Sequence, residues 1–381
     1  MAAEDLVQAA FRLSKMREEN DMRIGILTFH RAHNYGAVLQ CYALQETLKR
    51  MGHDVQVIDY RQQWIEDFYN LFCRNMIRRN SSSVPVLFSY LKSSMKKWIL
   101  APSKAYNFRD FREDFLNLSL PCQDAIPQLY DCYVIGSDQL WSLHCLGGVQ
   151  DKVYMGDFER PAGSRLVGYA ISADMKSVQT SASLLAAAVP GFDALSMREK
   201  EVADAVASIT GCPCEVCLDP TLLTDASLWN PLMTPVEKEE YVLMYEVRWN
   251  PQTKGLLRKK AEELAAAIGP HCKVIDLSRV DRPVTEFVSL FRNASHVVTT
   301  SFHAVVFSII FGVPFYAFPL WGGYDLRYTE LLRSVGAEDR LVSFDTGLKP
   351  GPMDFSAVKE KLAVRQAESM KFIERSLANE Q

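Results

Sequence analysis

One histidine, His303, stands where an apolar run gives way to a second apolar stretch, in "HVVTTSFHAVVFSIIFG". The run "HVVTT" (296–300) predicts a buried strand, and the residues after Ser301 predict a helix. Ser301 is a suitable N-cap, and the free N–H groups of a first helical turn attract anions such as phosphate. An anion bound there would favour the protonated, acid-competent form of His303. We predict an acid-competent imidazole at His303 beside an anion site at Ser301 and Phe302; the alternative is a histidine that only caps the turn or satisfies a core carbonyl.

A second corner of this kind is "VIGSDQLWS" (134–142), a predicted strand followed by a polar loop. Ser137, Asp138 and Gln139 offer a hydroxyl, a carboxylate and an amide, which suit a polyhydroxylated ligand. We predict that Asp138 orients or deprotonates an acceptor hydroxyl, with Ser137 and Gln139 beside it. The same residue types also build an Asx turn, which is the alternative.

The stretch "HRAHNYGA" (30–37) occupies the corresponding corner near the start of the chain. A tight turn that feeds a helix would explain its residues and would bring the backbone close to a ligand. We assign three of its residues to the acceptor or cleft site: Asn34, Tyr35 and Gly36.

Two arginines at predicted element boundaries are candidate anion clamps. Arg198 in "ALSMREKEV" directly follows a predicted strand, and Arg327 in "YDLRYTELL" opens a predicted helix. A guanidinium can grip a carboxylate or a phosphate through two parallel hydrogen bonds. We predict that both arginines bind a carboxylate or a phosphate of a ligand; the alternative for each is an ordinary surface ion pair.

Two spacings resemble metal-binding motifs, but both are incomplete. His30 and His33 form an HxxH pattern without acids next to them, and "CPCEVC" (212–217) lacks the second cysteine pair of a zinc site. We predict no metal site, and buried thiols for these cysteines.

The elements that must position these residues form two series of alternating strands and helices. This order predicts an α/β fold with two Rossmann-like, doubly wound domains facing a cleft. The predicted divisions are an N-terminal helical extension (1–21), an N-terminal domain (22–223) with a basic and aromatic excursion at about 61–120, a linker (224–240), a C-terminal domain (241–354) and a C-terminal helix (355–381) that packs back across the hinge.

Composition narrows the class of protein. The 381 residues carry a net charge of −4, which argues against nucleic-acid binding by the chain as a whole. The nine cysteines show no disulfide framework, and the start of the chain does not read as a signal peptide, so we expect a soluble, cytoplasmic protein. Nothing in the sequence indicates an oligomeric state.

The predicted excursion carries an unusual charge bias. Between residues 74 and 112 there are nine basic residues and one acid. This segment would contact an anionic acceptor or, peripherally, an anionic membrane surface; the alternative is ordinary solvated surface.

The chain resembles the polysaccharide pyruvyl transferase family. The matching stretches are "IGILTFHRAHNYGAVLQCYAL", "VIGSDQLW", "LSMREKE", "CLDPTLL", "TTSFHAVVFSIIFGVPFYAF" and "LRYTELLRSVG". The resemblance implies a fold like glycosyltransferase-B and phosphoenolpyruvate as donor substrate, without a cofactor. Its pyruvyl group would become a ketal on a sugar of a cell-surface glycan precursor, either free or lipid-linked, with release of phosphate. By matching position, the donor residues would include His303, Arg198 and Arg327.

Two departures from the family pattern keep other functions open. Some members carry arginine where this chain has Ser301, and the residue after the histidine is often glycine but here is Ala304. A glycosyltransferase that uses a nucleotide-sugar donor is one alternative. A non-catalytic protein that binds a glycan or an anion on the same fold is another.

Overall fold

The structure is a computed structural model, and it describes residues 21–69, 102–236, 239–247, 253, 255–278, 281–320 and 326–378. Nearly all of the predicted N-terminal extension and most of the basic segment at 74–112 lie outside these residues.

The first sheet contains six parallel strands. They are β1 (Arg23–Leu27), β2 (Asp54–Val57), β3 (Cys132–Asp138), β4 (Arg165–Ile171), β5 (Ala194–Met197) and β6 (Glu215–Val216), in the order β2-β1-β3-β4-β5-β6. All seven residues of β3 are buried, as expected for a central strand covered on both faces. The helices of this half are α1 (Tyr35–Arg50), α2 (Gln63–Tyr69), α3 (Pro102–Phe115), α4 (Met175–Thr180), α5 (Ala182–Ala188) and α6 (Lys200–Thr210).

The second sheet contains four parallel strands. They are β7 (Tyr241–Tyr245), β8 (Lys273–Asp276), β9 (His296–Thr299) and β10 (Phe315–Ala317), in the order β10-β9-β7-β8. Its helices are α7 (Leu256–Ile268), α8 (Val284–Asn293), α9 (Phe302–Phe311) and α10 (Leu326–Val335). The predicted architecture of two Rossmann-like halves is confirmed by these two parallel sheets with alternating helices.

Each sheet has one point where the strand order reverses, and these points fix where a ligand can bind. In the first sheet the reversal lies between β1 and β3, and in the second it lies between β7 and β9. The loops that leave such strands diverge to opposite faces of the sheet and open a crevice between them.

The two halves share one apolar core. Trp229, in a short 3₁₀ segment (Ala226–Leu232) between the sheets, is fully buried. Its ring lies 6.0 Å from that of Tyr42 in α1 and 4.9 Å from that of Phe307 in α9. The two sheets are therefore held by a common aromatic contact as well as by the chain connection.

The final helix, α11 (Ser356–Leu377), lies against the first sheet although it follows the second in sequence. The Ser369 hydroxyl accepts a hydrogen bond from the Leu218 backbone N–H at 3.0 Å, and Gln366 donates to the Leu222 carbonyl at 2.7 Å. None of the helices in the described ranges is both long and apolar enough to cross a membrane.

The position of Trp229 predicts a large cost for removing its ring. Trp229→Ala should lower the free energy of unfolding by about 3–5 kcal/mol, because it leaves a cavity between the two halves. Trp229→Phe is the matched control, since it keeps an aromatic ring against Tyr42 and Phe307 and should cost clearly less. Urea denaturation of both variants measures the difference; equal losses would show that the ring contact does not join the halves.

Candidate active site

A cavity of about 420 Å³ lies between the two sheets, at the reversal points of both. The loops after β1 and β3 form one side, and the segments after β7 and β9 form the other. Eight of the residues that the sequence singles out line it: Asn34, Gly36, Asp138, Gln139, Ser301, Phe302, His303 and Arg327. The fold thus brings most of the candidate residues to one place.

His303 opens onto this cavity from the first turn of α9, with 8% of its surface exposed. Its ring rests on the first turn of α1: a Cβ added to Gly36 would lie 2.1 Å from the imidazole Nδ1. On the other side, Nε2 lies 3.6 Å from a carboxylate oxygen of Asp219. The imidazole is therefore held between a glycine of one half and an acid that follows β6.

Asp219 is fully buried and joins three groups. Its Oδ2 forms an ion pair with Nη2 of Arg198 at 2.8 Å, and Oδ1 accepts hydrogen bonds from the backbone and the hydroxyl of Thr221. Burial disfavours the charged carboxylate, but Arg198, His303 and Thr221 outweigh that cost and hold the pKa of Asp219 well below its usual range. Asp219 is thus an anion that both Arg198 and His303 face.

Sequence reasoning missed Asp219 as a site residue. The signal that was available is its position after a short strand, directly before Pro220, where the carboxylate can cap a turn.

Arg198 and Ser137 lie beneath the cavity instead of lining it. Arg198 Nη2 donates to the Ser137 hydroxyl at 2.7 Å, and that hydroxyl donates to the Ala170 carbonyl at 2.6 Å. Ser137 is fully buried, and its backbone N–H donates to the Gln40 side chain at 3.2 Å. The sequence predicted that both residues contact ligands. In the structure, the Arg198 guanidinium and the Ser137 hydroxyl connect β3 with the ends of β4 and β5.

Phe302 separates the main cavity from a smaller one of about 220 Å³, and its ring lines both. Arg198 and Arg327 contact this ring, with guanidinium carbons 5.1 Å and 6.0 Å from its centre. Arg327 borders both cavities, whereas Arg198 borders the smaller one. The two predicted anion clamps are therefore not equivalent. Arg327 borders the main cavity directly, whereas Arg198 contacts Asp219, which in turn faces His303 at the cavity wall.

Asp138 lines the main cavity at the end of β3 and has a positive φ of 89°. Such backbone angles are uncommon for residues other than glycine, although aspartate adopts them more often than most. Its Oδ1 accepts a hydrogen bond from the N–H of the next residue, Gln139, at 2.8 Å, and both residues line the cavity. An Asx turn would bond two residues on, so this contact is not that turn. The role of Asp138 towards a ligand hydroxyl stays a prediction.

Tyr35 and Asn34, neighbours at the start of α1, have different roles. Tyr35 is buried, stacks on Phe287 of α8 with centroids 4.0 Å apart, and its hydroxyl donates to the Arg282 carbonyl at 2.8 Å. It joins the two halves beside the cavity. Asn34 lines the cavity and caps α1 by accepting from the Ala37 N–H at 3.3 Å.

Two helix N-termini meet at the cavity. Asn34 caps α1, and Ser301 caps α9, where its hydroxyl accepts from the Ala304 N–H at 3.5 Å. The first turns of both helices carry backbone N–H groups without intrahelical partners and the positive end of a helix dipole. The cavity is therefore suited to an anionic ligand.

An aromatic wall on α2 was not anticipated from the sequence. Trp64 and Phe68 stack with centroids 6.4 Å apart, and both line the cavity together with Tyr69. The face of Trp64 also packs on Gly147, where an added Cβ would lie 2.5 Å from the ring. These residues lie inside the predicted excursion at about 61–120, before its basic part at 74–112, and the sequence pattern did not separate them from it.

Glu199, next to Arg198, is a second acid that sequence reasoning missed. It is almost fully buried and accepts a hydrogen bond from the Ser172 hydroxyl at 2.7 Å. Burial raises the pKa of Glu199 to about 7, although Arg198 acts in the opposite direction. Glu330, on α10 of the other half, accepts a hydrogen bond from the backbone N–H of Lys200 at 2.8 Å. The first turn of α6 is therefore capped by a residue of the other half.

The residues of the two metal-like spacings have ordinary structural roles. His30 is fully buried and contacts the Thr28 carbonyl and the Asp59 carboxylate, each at 3.0 Å. Cys212, Cys214 and Cys217 are free thiols; Cys217 is buried as predicted, whereas the prediction is wrong for Cys212 and Cys214, which are partly exposed. Across the described ranges, no group of three or more His, Cys, Asp or Glu side chains is arranged to hold a metal ion.

Three of the basic residues of the 74–112 segment lie in α3. Lys104 is 3.9 Å from Asp281, Arg109 pairs with Asp110 at 2.9 Å, and Arg112 is 5% exposed. The other six lie outside the described residues, and contact with a membrane or an acceptor stays a prediction.

The raised pKa of Glu199 gives a prediction for stability against pH. The folded state holds the proton up to about pH 7, whereas the unfolded chain releases it near pH 4.5. Stability contributed by this group is therefore lost as pH rises through that window, by an amount on the order of 3 kcal/mol. Glu199→Gln keeps the acceptor for Ser172 and should flatten this fall in denaturant titrations. Glu201→Gln, an exposed neighbour, is the control; equal pH profiles for both variants would contradict the prediction.

Comparison with known proteins assigns the chain to a family. It is similar to the Streptomyces sp. SF2575 glycosyltransferase SsfS6 solved with thymidine diphosphate (12% identity, TM-score 0.42, 94% of this chain and 100% of that one). It is also similar to the glycosyltransferase SnogD from Streptomyces nogalater (11% identity, TM-score 0.38, 93% and 98%). Identities and scores this low carry no information on substrate. No significant sequence match is found among curated proteins. The model of the polysaccharide pyruvyl transferase family matches residues 34–320, so this chain belongs to that family of transferases.

Proposed function

We propose that the protein transfers the enolpyruvyl group of phosphoenolpyruvate to two hydroxyls of a glycan or glycan precursor as a ketal, with release of phosphate. The observation that carries the proposal is the placement of His303. Its imidazole opens onto a cavity between two helix N-termini, held by Gly36 on one side and Asp219 on the other. The family match supports a pyruvyl transferase in general.

The main cavity suits the donor because phosphoenolpyruvate carries a carboxylate and a phosphate. The first turns of α1 and α9 offer backbone N–H groups, and Arg327 contributes a guanidinium at the same wall. The volume of about 420 Å³ leaves room for one sugar unit of an acceptor beside a donor of this size.

The chemistry requires one acid and one base. His303 donates a proton to the terminal enol carbon, the double bond opens, and positive charge develops at the carbon that carries the phosphate. The first acceptor hydroxyl adds to that carbon, and its proton passes to Asp138. The bond between this carbon and the phosphate oxygen then breaks, and Asp138 passes its proton to the leaving phosphate. The second hydroxyl forms the second C–O bond of the ketal, and its proton returns to His303.

Asp219 and Arg198 act on this reaction through His303. Asp219 faces the imidazole at 3.6 Å and is itself fixed by Arg198 at 2.8 Å. Because Gly36 closes the opposite side of the ring, the imidazole has one packing position. Asp219 and Arg198 are in this proposal positioning residues, and Arg327, Ser301 and Phe302 form the donor wall.

The acceptor would occupy the side of the cavity formed by α2 and the loop after β3. Asp138 and Gln139 provide polar groups there, and Trp64 provides an aromatic face for the apolar side of a sugar ring. The eight cysteines in the described ranges are free thiols, as is usual in the cytoplasm, and a phosphoenolpyruvate donor would also suit a cytoplasmic location. An assay that compares free and lipid-linked glycans would identify the form of the acceptor.

Replacing His303 tests the general acid. Purified protein with phosphoenolpyruvate and candidate glycans should release phosphate and form a ketal that NMR detects as a new methyl signal. His303→Asn should lower kcat by about 10²–10⁴-fold, the usual contribution of a positioned acid. Its melting temperature should fall only slightly, since Asp219 keeps its ion pair with Arg198 and its hydrogen bonds from Thr221.

Two outcomes would overturn this assignment. Full activity of His303→Asn would remove the imidazole from the mechanism. Stabilisation by nucleoside diphosphates in a thermal-shift assay, with no effect of phosphoenolpyruvate, would point to a nucleotide-sugar donor instead.

Gly36→Ala tests whether packing against Gly36 positions the His303 imidazole, and it leaves the His303 side chain itself unchanged. The new methyl group would overlap the edge of the ring, so the His303 imidazole must leave its position between Gly36 and Asp219. We expect kcat to fall by about tenfold or more, as small displacements of catalytic groups do. Gly191→Ala is the control, because an added Cβ there meets nothing within 4 Å. Equal activity of the two variants would show that contact with α1 does not position His303.

A further inference from the structure

A second reactive group lies on the wall of the main cavity, away from His303. Cys145 Sγ is 3.2 Å from Nε2 of His144, and Nδ1 of the same imidazole is 3.3 Å from Oδ2 of Asp174. Cys145 and His144 both line the cavity. The proposed transfer reaction uses none of these three side chains.

The loops that carry them are tied together. His144 and Cys145 lie in a 3₁₀ turn (Leu143–Cys145) after β3, and Asp174 caps α4 after β4. Ser177 bridges the two, since its hydroxyl accepts from the Leu143 N–H at 2.9 Å and donates to Asp174 Oδ2 at 2.6 Å. The arrangement therefore rests on two adjacent strand ends of one sheet.

Thiol, imidazole and carboxylate stand in the order that activates a nucleophile. A base within hydrogen-bond reach removes the thiol proton, and a third group orients the base. Partial burial disfavours the charged form of Asp174, but hydrogen bonds from Ser177 and His144 outweigh it and keep the pKa of this carboxyl below its usual value. Asp174 is thus an anion that can hold His144 with Nε2 directed at the thiol.

We propose that Cys145 is a covalent modification site of the cavity, activated by His144 and oriented through Asp174, for small soft carbon electrophiles. With a haloacetamide, the thiol proton passes to His144 Nε2 and the sulfur forms a bond to the methylene carbon. The carbon–halogen bond breaks and halide leaves. The bound group then occupies space in the cavity that donor and acceptor would share. The inference does not depend on the identity of the donor.

Other thiols of the chain give an internal reference. Burial raises the pKa of Cys122 to about 11 and also raises that of Cys272, so both are poor nucleophiles at neutral pH. Both are partly accessible, as Cys145 is. A higher rate at Cys145 than at these two would therefore reflect activation and not access alone.

The test is competitive alkylation of the full-length chain with iodoacetamide at neutral pH, with peptide mass spectrometry to follow each cysteine. In the wild type, Cys145 should react at least about tenfold faster than Cys122 and Cys272. His144→Asn should remove most of this advantage while leaving the rates at the two reference thiols unchanged. Asp174→Asn keeps a side-chain oxygen to cap α4 and should lower only the rate at Cys145.

Each variant carries its own control for folding. An unfolded variant would lose the rate difference by faster reaction at Cys122 and Cys272, whereas loss of activation slows Cys145 alone. Equal rates at the three thiols in the folded wild type would overturn the proposal. So would an unchanged rate at Cys145 in folded His144→Asn and His144→Gln.

Discussion

The geometry of the cleft depends on one buried carboxylate, Asp219. Burying a charge is costly, and the cost is met only when a partner and hydrogen bonds are in place. Here the partners come from different parts of the fold: Arg198 follows β5 of the first sheet, and His303 follows β9 of the second. Removing the carboxylate would leave the Arg198 guanidinium buried without its counter-charge. The requirement to neutralise Arg198 thus also places a fixed anion beside the imidazole.

The parallel topology explains why the reactive groups meet at all. Strands that run in one direction deliver every following loop to the same edge, and the reversal of strand order opens that edge. Two such edges face each other across the cavity, so α1 and α9 point their N-termini at one space. Gly36 permits the closest contact between them, because any side chain there would occupy the position of the His303 ring. Packing of one half against the other thus brings the His303 imidazole and two helix N-termini to one cavity.

The strand ends visible in the sequence predict where the site lies but not the contacts inside it. His303, Ser301 and Asp138 could be predicted because each follows an apolar run at the carboxyl edge of a sheet. Ser137 and Tyr35 occupy equally suitable positions in sequence, yet the Ser137 hydroxyl bonds to β4 and Tyr35 stacks on Phe287. Sequence position fixes the edge that a residue reaches, whereas the direction of its side chain depends on tertiary partners. The position of Asp219 before Pro220 indicates a cap, but its contact with His303, like the burial of Glu199, depends on such tertiary partners.

Phe302 links the neutral N-cap Ser301 to the arginines near the main cavity. The serine hydroxyl caps α9, so positive charge for an anion in the main cavity must come from another element. The ring of Phe302 contacts both arginines. Arg198 lies against it at the smaller cavity, and Arg327 lies against it and lines both cavities. Attraction between a guanidinium and an aromatic face is modest but directional, so it can hold Arg327 at the cavity wall. The charge that Ser301 lacks is then supplied from α10, a helix that also caps α6 of the other half through Glu330. Anion binding and contact between the two halves would for this reason be coupled through one helix.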